Sequence, residues 1–179
     1  GVLIVVDALT DLGHSGGVDG AASSLDLTVR AAAALAEHHI RTGDRVALRV
    51  VGGSGDQVRF GSGQRHLRRL TGTLARVRPG IPRDLPDEGL SLGATAGTVV
   101  MVLSPMLHEV IVGAAALLSR RGLPLLVIDT LPHDVLPGAD PAVDPVVSSL
   151  AWRMRRTERD LLLEQLAGTT LSMHDSRVM

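Results

Sequence analysis

Short, uniformly apolar runs alternate along this chain with longer stretches in which apolar residues recur every three or four positions. Val2-Leu3-Ile4-Val5-Val6, ending at Asp7, is one such run, and residues 98–103 and 125–129 are two more. Runs without polar alternation predict strands buried on both faces, as in a parallel sheet. Residues 45–51 predict a second strand, and residues 57–60 a short third one that pairs with it at an edge. A helix is predicted over 25–41, where Leu25, Val29, Ala32, Ala36 and Ile40 share a face and Gly43 follows the end. A second helix runs over 64–78 on Leu67, Leu70, Leu74 and Val77, stopped by Pro79-Gly80. Two more are predicted over 106–121 and 146–166, and residues 171–173 read as a terminal edge strand.

Strands alternating with helices specify an α/β fold: a doubly wound, mostly parallel sheet of five or six strands with helices on both faces. In such sheets ligands sit outside the carboxyl ends of the strands, at the point where strand order reverses. The strand ends are Asp7, Ser104 and Asp129, so function is sought there.

Composition narrows the chemistry. The chain is 45% hydrophobic and 21% charged, which places it among globular sequences. A formal net charge of −1 gives no global attraction to nucleic acid or anionic membrane. Phe60 and Trp152 are the only aromatic residues, too few for base stacking. Without cysteine there is no disulfide framework, thiolate zinc site or cysteine nucleophile. All 18 basic residues are arginine, so a P-loop lysine is excluded. No apolar run reaches the roughly 20 residues of a membrane span. The chain opens directly on a buried-type strand, and we read residues 1–179 as one domain excised from a longer parent chain.

Motifs for common catalysis are missing. Gly13, Gly16 and Gly17 lack dinucleotide-binding spacing, and Gly61-Ser62-Gly63 is a turn before a helix rather than a nucleophile elbow. The seven histidines form no metal-ligand spacing. Arg65, Arg68 and Arg69 lie on the polar face of the second helix, and Arg153, Arg155, Arg156 and Arg159 on that of the last. Both clusters read first as solvated faces, with phosphate or an acidic partner as the functional alternative.

The apolar strand ending in Asp7, the segment LDLTVRAAAALAEHHIRTGDRVAL and the following QVRFGSGQRHLRRLTGTLARVRP resemble the von Willebrand factor A-like region of the bacterial "domain of unknown function 58" family. The tail LAWRMRRTERDLLLEQLAG also fits, so the resemblance covers nearly the whole chain. It implies a metal-ion-dependent adhesion site at the sheet's C-terminal edge, where hard oxygen ligands from several loops hold Mg²⁺. Here the pattern is degenerate. Asp7 stands at the first Asp, but Leu9 and Asp11 replace the two serines. Leu90 replaces the distal threonine, and Ser104-Pro105 replaces the terminal Ser-Asp. Asp7, Asp11 and Ser104 form a remnant rim. The segment between Ala94 and Thr98 is too short for the helix that intervenes in the family, so one flank of the sheet is expected to be thinly covered.

The resemblance therefore implies a non-enzymatic protein-binding module that uses neither metal nor cofactor. Leu9, Leu90, Pro105, Arg65, Arg68 and Arg69 are its candidate partner-binding residues. It also implies a MoxR-type AAA+ ATPase as partner, and a cytoplasmic domain whose parent is tethered to the membrane. The alternative is a small-molecule or nucleotide-binding protein, such as a Mg²⁺-dependent phosphohydrolase, using Asp7, Asp11, Ser104 and Asp129. It lacks a base and a phosphate-cradling loop.

Overall fold

The structure is a computed structural model that describes residues 1–17, 20–85, 92–133, 135, 144–166 and the backbone of 170–172. In chain order the elements are β1 (Val2–Asp7), α1 (Ser24–Arg41), β2 (Val46–Val51), β3 (Gln57–Gly61) and α2 (Gly63–Leu74), followed by β4 (Val99–Ser104), α3 (Glu109–Arg120), β5 (Leu125–Asp129), α4 (Pro145–Gln165) and β6 (Thr170–Ser172). The six strands form one sheet in the order β3-β2-β1-β4-β5-β6. All pairs are parallel except β2–β3. The fold is thus the doubly wound, Rossmann-like α/β sheet that the alternating pattern predicts.

Strand order reverses between β1 and β4, which are neighbours in the sheet. Every residue of β1 is buried, as a central strand covered on both faces requires. Val2, Ile4 and Val6 pack with Leu25, Ala32, Ala36 and Ile40 of α1 and Leu70 and Leu74 of α2. Leu3 and Val5 face the other way, toward Ile111, Ala114, Ala115 and Leu118 of α3. Each fully buried aliphatic side chain stabilises the fold by about 1.5–3 kcal/mol. Leu163 and Leu166 at the end of α4 are partly buried on this second face.

Local chemistry sets the helix ends. Ser23 and Asp26 form a reciprocal capping box at the start of α1. The predicted helix over 64–78 is shorter, because α2 closes at Leu74. Beyond it Val77 is buried and Gly80 N donates to Ala8 O at 2.9 Å, which draws the chain back to the end of β1. The helix predicted from residue 106 begins instead at Glu109. Met106 N donates to Ser104 Oγ at 2.8 Å, and Met106 takes the left-handed conformation at φ 54°, so helical backbone cannot start there. The His108 ring then caps α3 by accepting from Val110 N.

No helix lies between α2 and β4 among the described residues, and 95–98 form a turn closed by Thr98 N to Thr95 O at 3.0 Å. Leu85, Leu92 and Ala94 pack on the sheet instead. Between them and the β2–β3 edge lies a cavity of about 560 Å³, floored by Leu3, Ala47 and Leu92 and bordered by Arg45, Arg49, Arg59 and Phe60. Among the described residues the flank carries no helix, as expected from the short 94–98 segment.

Candidate functional site: the closed carboxyl edge of the sheet

Parallel register carries three polar side chains to one level. Val6 pairs with Leu103, so Asp7 follows at the level of Ser104, and Ser104 pairs with Asp129. Strand alternation puts all three on the face of Leu3, Val5, Val102 and Val127, the side covered by α3. Asp7 and Asp129 lie on opposite sides of β4. At about 4.8 Å per strand their backbones are some 10 Å apart.

Asp7 is 3% exposed and fully engaged. Ser104 Oγ donates to its Oδ2 at 2.6 Å, and Leu9 N donates to its Oδ1 at 3.0 Å. Burial is the largest influence on this carboxyl and raises its pKa above the ordinary 3.8. The Ser104 bond, the Leu9 N–H and the charge of His108 act in the opposite direction.

The cation at this edge comes from α4. Arg159, 5% exposed, forms an ion pair with Asp129. Its Nε donates to Pro105 O at 2.6 Å, and its NH1 donates to Asp160 Oδ1 at 2.7 Å. Its neighbour Arg155 donates to Leu107 O at 2.9 Å. The carbonyl of Pro105, at the position where the resemblance places an acidic ligand, therefore accepts from a guanidinium.

Asp11 serves another element. Its Oδ1 accepts from Leu25 N at 3.0 Å and Ser24 Oγ at 3.4 Å, which ties the first loop to the start of α1. A negative charge there also complements the helix dipole. The sequence-based rim of Asp7, Asp11 and Ser104 thus resolves into a bonded pair, Asp7 and Ser104, and a separate helix anchor.

Leu9 is 2% exposed and belongs to the α3-side core, and Pro105 is buried beneath Arg159. Neither offers an open surface. Leu90 lies outside the described residues. Arg65, Arg68 and Arg69 are exposed on α2, which packs on the α1 side of the sheet, away from the row of Asp7, Ser104 and Asp129.

Sequence reasoning missed Arg159, which it grouped with the solvated arginines of the last helix. Its spacing carried the signal: Trp152, Leu163 and Leu166 lie seven before, four after and seven after it, on one helix face.

No protein-family model matches the chain, and no curated protein is significantly similar to it. The residues themselves decide what the edge accommodates. Among the described residues no group of three or more His, Cys, Asp or Glu side chains converges as a metal site. Asp7 gives one buried carboxylate whose two oxygens are already bonded, and Asp129 is matched by Arg159.

Proposed function

We propose that this chain is a non-enzymatic, metal-independent protein-binding module of the von Willebrand factor A-like kind. The observation that supports this reading is Arg159, which donates to the Pro105 carbonyl, at the position where the resembling family has its second Asp, and pairs with Asp129 beside it. Asp129 is balanced within the chain by Arg159, while Asp7 is held by the Ser104 hydroxyl and the Leu9 N–H.

Binding then falls to surfaces that need no ion. One is the flank at the β2–β3 edge, where Arg45 and Arg59 border an apolar floor suited to an acidic, partly apolar partner segment. The exposed Arg65, Arg68 and Arg69 offer a second basic face. The family resemblance supplies the partner class, a MoxR-type AAA+ ATPase, and a parent chain tethered at the cytoplasmic membrane. No helix among the described residues is long and apolar enough to cross a membrane.

Calorimetric titration with Mg²⁺ and Mn²⁺ tests the reading. Absence of saturable heat at millimolar metal, with no phosphatase turnover, is the expected result. Saturable binding that disappears in Asp7→Ala would overturn it and favour a metal-dependent site.

A further inference from the structure

The face of α4 opposite its buried residues carries an apolar row, of which Met154 also borders a groove against α3, while the inward face is partly polar. Ser148, Trp152, Arg156, Arg159, Leu163 and Leu166 recur at helical spacing and are the positions turned toward the body of the protein. Arg159 is the buried residue among them. On the opposite face Val147, Leu150, Met154 and Leu161 are 58%, 56%, 58% and 54% exposed. Intervals of three, four and seven place these on one seam, with Thr157 between Met154 and Leu161. That is the a/d pattern of a helix meeting another helix over about three heptads.

The charges beside the seam identify the other helix. Arg153 and Asp160, whose Oδ1 also accepts from Arg159 of the same chain, occupy the two successive positions that precede a seam residue on one side. In an antiparallel pair of identical helices these positions face each other, so Arg153 of each copy meets Asp160 of the other, twice by symmetry. The same register sets Leu150 against the partner's Leu161 and Met154 against its Thr157. Glu164, the next seam position, then faces the partner's Val147, whereas a parallel pair would stack Glu164 on its own copy.

We propose that α4 is a self-association element, with a second copy of this chain packed antiparallel on Val147, Leu150, Met154 and Leu161. The seam is short, so the dimer is weak, with a dissociation constant on the order of micromolar. Arg159 fixes the helix on its own domain, which presents the seam outward in a single orientation.

Sedimentation equilibrium of the 179-residue chain over a range of concentrations tests this. A monomer–dimer equilibrium is expected, and Leu150→Asp should weaken it by about tenfold or more, since each change acts twice across the two-fold. Ile81→Asp, at an exposed apolar residue outside the seam, should leave it unchanged. Arg153→Glu should weaken the dimer, and adding Asp160→Arg should restore it, with melting curves confirming that each variant folds. A chain that stays monomeric throughout would overturn the proposal. A dimer indifferent to Leu150→Asp, or a charge swap that fails to restore association, would overturn it equally.

Discussion

Arg159 on α4 and Asp129 at the end of β5 form an ion pair in which the arginine is 5% exposed and the carboxylate 13%. Most of α4 is exposed, and its other inward positions are only half-buried. This pair and the Pro105 carbonyl bond are therefore the principal polar ties of the helix to the sheet. Arg159→Ala leaves a partly buried carboxylate without its partner, at a cost of about 3 kcal/mol. Urea unfolding should register that loss, and hydrogen exchange should show α4 amides opening before those of β1 and β4. Arg159→Lys should recover only part of it, because an ammonium lacks the planar fork that spans Asp129 and Pro105.

Asp7 should make stability fall as pH rises. Its folded pKa lies above the ordinary 3.8, so the native state holds this proton more tightly than the unfolded chain. The resulting stabilisation is complete below 3.8 and is lost as pH climbs through the raised folded value. Asp7→Asn removes the burial of charge while keeping the shape. It should raise stability near neutral pH by about 1 kcal/mol, and the difference should vanish near pH 3. Denaturation of both proteins across that range checks the sign; a variant less stable at neutral pH would contradict it.

Gly52 and Gly113 should respond to alanine in opposite directions. Gly52 has φ 99°, and a Cβ there would lie 2.6 Å from the Ala8 backbone, at the crossing of the loops after β1 and β2. Gly52→Ala should cost about 2 kcal/mol or more, because backbone must move on both sides. Gly113 sits within α3 with open space at its Cβ position. Gly113→Ala should stabilise by about 0.5–1 kcal/mol through helix propensity. Paired melting curves read both effects.

Reversing charge at Arg65, Arg68 or Arg69 should leave the fold intact, with each change within about 0.5 kcal/mol. These exposed side chains would then affect only the association rate with an acidic partner, and that rate should also fall with added salt. A thermal melt and a binding rate measured on the same variants separate the two roles.

The sheet was legible because its strands advertise burial. The runs at β1, β4 and β5 have no polar alternation, and the shortness of the segment before β4 pointed to the lack of a helix among the described residues there. Side-chain partnerships were less legible because they join residues distant in sequence. Nothing near Asp11 indicates that its carboxylate serves the N–H of Leu25. Nothing near Pro105 indicates that a residue on α4 will donate to its carbonyl. Arginine composition also misled, since Arg153, Arg155, Arg156 and Arg159 look alike in a row, and only helical phase singles out the one that turns inward. The start of α3 was misjudged for a local reason: the Ser104 hydroxyl diverts the Met106 amide, which no hydrophobic period encodes.

A guanidinium tethered to a helix differs in kind from a dissolved ion. Its local concentration at Asp129 is set by the fold and does not vary with the cell's divalent pool, and no chelator withdraws it. Asp129 is thus ligated from within, and vacating it requires lifting α4 off the sheet.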